Sequence, residues 1–90
     1  MTLHERFSVN LRRVRERAGI TQMKLAQLTE VDRTQINKLE TGKRMPRLDT
    51  VVKLTSALDC RADELIDGMA WKPDTAAYGS YEVTEPDATL

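Results

Sequence analysis

Ninety residues, 40% of them apolar and 31% charged, suffice for one globular domain with a small core. The formal net charge of zero conceals an asymmetry: residues 1–68 carry 13 Lys/Arg against 10 Asp/Glu, and residues 69–90 carry one against four, so a mildly basic body precedes an acidic tail. One cysteine and one histidine exclude an intramolecular disulfide and offer no metal-ligand spacing, and no apolar run approaches the ~20 residues of a membrane span.

Residues 2–18 read as an amphipathic helix. Thr2 and Glu5 fit a capping box, and Leu3, Phe7, Leu11, Val14 and Ala18 recur at three- and four-residue spacing. Arg6, Arg12, Arg13 and Arg17 lie on the other face, which is either a solvated surface or, near Arg12 and Arg13, a place for phosphate contact. Gly19 closes this helix. Thr21 caps a second, with Ile20 and Leu25 placed as a hydrophobic staple, and Asp32 caps a third, where Gln35 completes a capping box and Val31 and Ile36 form the staple. Two starts so close together end the second helix near Leu28 or Thr29, after about two turns. The short connection through Thr29, Glu30 and Val31 then lets the two helices cross steeply, as in a helix-turn-helix.

The third helix turns Val31, Ile36 and Leu39 inward. Its remaining positions hold Arg33, Thr34, Gln35, Asn37 and Lys38, all hydrogen-bond donors and none a carboxylate. Such a face suits the major groove of DNA. Gly42 is a natural stop, and Pro46 prevents immediate continuation. Residues 49–58 form a fourth helix with Asp49 as its cap and Val51, Leu54 and Leu58 inward; residues 62–67 form a fifth, weakly capped by Arg61. Cys60 reads as a small buried hydrophobe facing Leu65, and Gly68 ends the globular part. The expected division is therefore a DNA-binding domain over 1–68 and an acidic tail over 69–90. Trp71, Tyr78 and Tyr81 lie in the tail, which is partly disordered, packs Trp71 back on the last helices, or forms a hairpin pairing Ala77-Tyr78 with Tyr81-Glu82 through a turn at Gly79-Ser80.

The run Gly19-Ile20-Thr21-Gln22, then Leu25-Ala26, Val31-Asp32, Ile36, Leu39-Glu40, Gly42-Lys43 and Pro46, resembles the Cro/lambda-repressor (XRE) family of helix-turn-helix DNA-binding domains. The pattern continues through Leu48, Val51, Leu54, Ala57-Leu58 and Asp63-Glu64-Leu65, so it spans about residues 5 to 67. The resemblance implies an all-α, five-helix lambda-repressor-like fold followed by a short, partly disordered tail. It implies base reading at the positions of Arg33, Thr34 and Lys38, a phosphate or nearby base contact for Gln22, and an ion pair between Arg15 and Glu40. One departure stands out: the turn position of Glu30 is commonly glycine in this family, because the chain there tends toward positive φ.

The residues themselves add detail. Arg33 can fork onto guanine O6 and N7, and Thr34 offers a hydroxyl or a methyl group. Asn37 reaches a base or a phosphate, while Gln35 is engaged in its capping box. Thr41, Lys43 and Arg44 follow the third helix where they can clamp the DNA backbone, with Arg12 on the first helix as a further phosphate contact. The expected function is a sequence-specific regulator in the cytoplasm, a repressor or autoregulator, acting on double-stranded DNA. A homodimer formed through the fourth and fifth helices or the tail would bind a two-fold symmetric operator. A second reading is an antitoxin-type module whose tail blocks a protein partner. Catalysis finds no support: no catalytic residue, cofactor or metal site is expected, and no membrane role or secretory leader.

Overall fold

The computed structural model describes residues 1–74 and 76–86. Five helices come first: α1 (Leu3–Arg17), α2 (Gln22–Thr29), α3 (Arg33–Glu40), α4 (Leu48–Leu58) and α5 (Ala62–Leu65). Two strands follow, β1 (Met69–Lys72) and β2 (Ser80–Val83). No helix among the described residues is long and apolar enough to cross a membrane.

The start of α1 follows from its capping box: the Glu5 amide donates to Thr2 Oγ1, and the Thr2 amide to the Glu5 carboxylate, each at 3.1 Å. Its inward stripe is shorter than the sequence suggests. Phe7, Leu11 and Val14 are buried, but Leu3 is only half-buried and Ala18 is exposed. Leu25, Ala26, Ile36, Leu39, Leu54, Leu58 and Leu65 complete a single core drawn from all five helices. Within it α1 packs against α3 and α5, and α2 against α3 and α4. Cys60 is half-buried against this cluster, and burial pushes its thiol pKa up.

The expected face of four arginines is corrected at Arg6. This residue is buried: its Nε donates to the Asp67 carbonyl at 2.9 Å and its Nη2 to the Asp67 carboxylate at 3.1 Å. Asn10, one turn on and also buried, donates its amide to the carbonyls of Leu65 and Asp67 at 2.9 and 2.8 Å. Together the two side chains tie α1 to the chain leaving α5. Gly68, at φ +82°, then turns the backbone so close to Arg6 that a Cβ would lie 2.4 Å from its Nε.

Several helix ends differ from expectation. Asp32 does cap α3, accepting from the Thr34 amide at 2.7 Å, but Gln35 does not reach back, so the capping box is absent. Helix α4 begins one residue early with Arg47 at its N-cap; Asp49 sits inside the first turn, where it accepts from the Thr50 amide at 2.9 Å. Helix α5 stops at Leu65, and its first turn is held by Glu64, which accepts from the Arg61 amide at 3.0 Å. Since a guanidinium accepts no hydrogen bond, Arg61 supplies no cap of its own.

The tail is the largest correction. Residues 69–72 and 80–83 pair antiparallel, Met69 opposite Val83 and Trp71 opposite Tyr81, so the fold is five helices plus a hairpin rather than all-α. Neither expected arrangement occurs: Gly79-Ser80 is not the turn, and Trp71 is 55% exposed instead of packed on the helices. The seven residues that join the strands are too many for the two-residue turn signal to apply. Tail residues 75 and 87–90 lie outside the described residues.

Candidate nucleic-acid interface

The turn between α2 and α3 sets the angle at which α3 is presented. Thr29 ends α2 by donating its hydroxyl to the Leu25 carbonyl at 2.7 Å, and Glu30 then adopts the left-handed conformation, φ 55° and ψ 29°. The conformation that favours glycine is thus kept with a glutamate in place. At its far end α3 closes through Gly42 at φ +75°, with the Lys43 amide donating to the Lys38 carbonyl at 3.0 Å.

Between these limits α3 is two turns long, eight residues, and buries Ile36, Leu39 and Glu40. Arg33, Thr34 and Asn37 are exposed, and Lys38 is half-buried. Thr41, Lys43 and Arg44 continue the exposed surface beyond the helix. Among the described residues no carboxylate lies within salt-bridge distance of Arg33, Lys38, Lys43 or Arg44. A shallow cleft of about 280 Å³ lies where α2 begins beside the first turn of α3, lined by Gln22, Arg33, Thr34 and Asn37. All four are donors, one is cationic and none is acidic. The unpaired amides at the start of α2 add a partial positive charge there.

A buried polar chain lies behind this surface. Arg15 forks onto Glu40, Nε to Oε2 at 2.6 Å and Nη2 to Oε1 at 2.9 Å, while its Nη1 donates to the Ile20 carbonyl at 2.8 Å. The bond to Glu40 holds the Arg15 pKa above its usual value. Gln22 donates to Glu40 at 3.3 Å and accepts from Asn37 at 3.5 Å. Gln22 is thus half-buried and partly engaged, with its outer amide hydrogen left for a ligand.

Gln35, expected to close a capping box, instead accepts from Arg44 Nη1 at 3.0 Å, so it steadies the loop that follows α3. No local signal marks this pairing, because the two residues lie nine positions apart across a helix end. Arg12 is exposed on the flank of α1 that also carries Glu5 and Arg15. That flank faces the end of α3, since Arg15 reaches Glu40 and a Cβ on Gly42 would lie 3.5 Å from Glu5. Gln22 meets α3 on that same flank, through Glu40 and Asn37, whereas Arg44 lies against Gln35.

A helix-turn-helix family model, HTH_3, matches residues 11–65. The restriction-modification controller protein C.AhdI from Aeromonas hydrophila is 35% identical over 69% of this chain and 94% of its own, with a TM-score of 0.66. The hypothetical transcription factor NHTF from Neisseria is 28% identical over 72% of this chain and 75% of its own, TM-score 0.67. The clp gene regulator ClgR from C. glutamicum, 23% identical, shares the fold over 72% of this chain and 84% of its own, TM-score 0.68. No curated protein matches the chain by sequence.

Proposed function

The chain belongs to the helix-turn-helix family of DNA-binding transcriptional regulators, a non-enzymatic class, and we propose that it acts as a dimer on a two-fold symmetric operator. Residues 1–68 form its DNA-binding unit. Arg33 and Thr34, in the first turn of α3, read base edges in the major groove together with Lys38, and Asn37 reaches a base or phosphate from the Gln22 amide that holds it. Gln22, Thr41, Lys43, Arg44 and Arg12 hold phosphates on the two sides of the groove.

The observation that carries this reading is the outer surface of α3: exposed donors, cations with no salt-bridge partner among the described residues, and the helix's own carboxylate, Glu40, buried under Arg15. A dimer follows from size. Two helical turns touch only about four to six base pairs, too few for useful specificity, whereas two copies on half-sites about one helical turn apart double the site. The likeness to a restriction-modification controller favours a repressor or autoregulator of the genes beside its operator.

Selection from random duplexes, followed by sequencing, tests the reading. The expected product is a two-fold repeated motif with centres roughly 10 base pairs apart. In that motif Arg33→Ala should relax preference at one position in each half at a cost of about 1–3 kcal/mol, and Lys43→Ala should weaken all sequences alike and lower the salt slope by about one. Failure to enrich any sequence at low salt would refute the proposal, as would uniform effects of Arg33→Ala across every position.

A further inference from the structure

Two buried polar atoms, Arg6 Nη1 and Asn10 Oδ1, have no hydrogen-bond partner among the described residues, and both belong to the joint between α1 and the chain leaving α5. The second borders a cavity. Asn10 lines a cleft of about 230 Å³ that runs on along α1 past Arg13, Val14 and Arg17, residues three and four apart on one stripe of the helix. Asp63 and Asp67 line it from the other element. At about 100° per residue this stripe is on the far side of α1 from Glu5, Arg12 and Arg15, so the cleft lies away from the flank that faces α3.

What fits the cleft follows from which of its groups are already engaged. Arg17 donates to Glu64 at 2.6 Å, and Glu64 also accepts from the Arg61 amide, so this pair is closed. Asn10 gives its amide hydrogens to the carbonyls of Leu65 and Asp67, which fixes Oδ1 as an acceptor. Left buried without a donor, that oxygen is costly. The carboxylates of Asp67 and Asp63 each take one arginine hydrogen bond, from Arg6 and Arg61, and keep further lone pairs. Arg13 is exposed and pairs with no carboxylate among the described residues. Three acceptors and one guanidinium fork are therefore open.

We propose that this cleft binds the zwitterion of a small α-amino acid. An ammonium group has three hydrogens and no lone pair, which answers the acceptors at Asn10 Oδ1, Asp67 and Asp63; the carboxylate takes the two-pronged bond that Arg13 offers. A hydroxy acid brings one donor to three acceptors, and an amine without a carboxylate leaves Arg13 unused. Volume limits the side chain, since the cleft falls below the roughly 300–1,000 Å³ of pockets for drug-sized ligands. Asn10 Oδ1 is out of contact with solvent, so the ligand enters as the untied Arg13 side chain swings aside, and Arg13 then closes on its carboxylate. Bound there, the ligand bridges α1 and α5 and stabilises the fold by mass action, with the surface of α3 left clear. The site does not depend on the DNA reading.

Thermal melting of the full chain with each proteinogenic L-amino acid at about 10 mM tests the site. One or a few should raise Tm by about 4–8 °C and shift the Asn10 side-chain amide signals in nitrogen-15 correlation spectra. Their N-acetyl, hydroxy-acid and decarboxylated counterparts should do neither. Asn10→Ala removes the acceptor together with the ties to Leu65 and Asp67, so the deciding variant is Arg13→Ala, at an exposed position. Without ligand it should melt as the unaltered chain does, and it should need at least about tenfold more amino acid for the same rise. No rise with any amino acid, the cleft holding water alone, overturns the proposal. An equal rise in Arg13→Ala does so too, because the effect then comes from the solvent or from another site. An equal response to the hydroxy acid or the amine removes the zwitterion. Failure of the duplex selection beside a positive melting result would sink the DNA reading and leave this site standing.

Discussion

Replacing Arg15 by alanine removes three hydrogen bonds and leaves the Glu40 carboxylate, 1% exposed, with only the Gln22 amide at 3.3 Å. An uncompensated buried charge of this kind costs about 3–5 kcal/mol. A 90-residue domain has about 5–13 kcal/mol of stability in all, so the variant should sit near the edge of folding. Even the lower figure should reduce Tm by roughly 12–24 °C. Glu40→Gln should be milder, about 1–2 kcal/mol, because Arg15 can turn its partly exposed head to water. The informative variant is the double one, Arg15→Met with Glu40→Leu. Well-packed apolar side chains should recover stability to within about 1 kcal/mol of the starting protein, or exceed it. Urea unfolding followed by circular dichroism measures all three, and with Arg15→Met and Glu40→Leu also made singly the coupling energy of that cycle isolates the pair. On the alkaline side the sign is plain. A raised Arg15 pKa means a contribution present at every pH below the ordinary arginine value and lost only above the raised one. A loss under 1 kcal/mol in Arg15→Ala, or a double variant no more stable than that single one, would refute the assignment of Glu40 as a charge held by Arg15.

Glu30→Gly should relieve the left-handed backbone at φ 55° and stabilise by about 0.5–1 kcal/mol, less what the freer unfolded chain takes back; a fall in Tm would contradict it. Gly68→Ala should destabilise by about 1–3 kcal/mol, since φ +82° is strained for any side chain and the new Cβ must displace Arg6; thermal melting decides. Glu5 and Glu64 have lowered pKa values, first because the amides of Thr2 and Arg61 donate to them, so their contribution is present above 4.5 and lost as pH falls through the lowered values. Acid titration should accordingly soften α1 and α5 at their starts, and Glu64→Gln should flatten that part of the curve. Gln35→Ala should weaken DNA binding about two- to tenfold, and should add nothing in an Arg44→Ala background; loss of preference at one base there would instead make Gln35 a reader.

Much of the helical part is legible because its signals are local. A Thr followed three residues later by Glu, an Asp before a short apolar period and a Gly after it each settle one helix end without help from the rest of the chain. What depends on distant partners is not legible in this way. Arg6 occupies a position that a helical wheel leaves outside, and only Asp67, 61 residues away, makes its burial tolerable. The box expected at Asp32 and Gln35 fails for a related reason: Arg44 offers Gln35 a charged donor, which outcompetes a neutral amide. Gly79 misleads in the hairpin. A glycine beside a serine suggests a tight turn, yet here its missing side chain makes room for the Trp71 ring. The surface of α3 could be read because it is defined by what it lacks, namely acids, and absence of charge is visible in a sequence.

The polar chain behind α3 has a geometric reason to exist. Two buried apolar residues, Ile36 and Leu39, give the helix affinity for the core but little control of its roll, because apolar burial has no direction. Hydrogen bonds do have direction. Asp32 fixes the first turn of α3, Arg15 grips Glu40 in the last, and Gln22 joins that carboxylate to Asn37 on the outer side. Three directional ties on a two-turn helix leave its roll no freedom, and so determine where Arg33 and Thr34 point. An apolar residue at position 40 would hold the helix as firmly, but it would release Gln22, and with Gln22 the orientation of Asn37. The arrangement also needs Glu40 to be paired rather than merely buried: a bare carboxylate next to Thr41 and two residues from Lys38 would oppose the phosphates those residues are placed to meet.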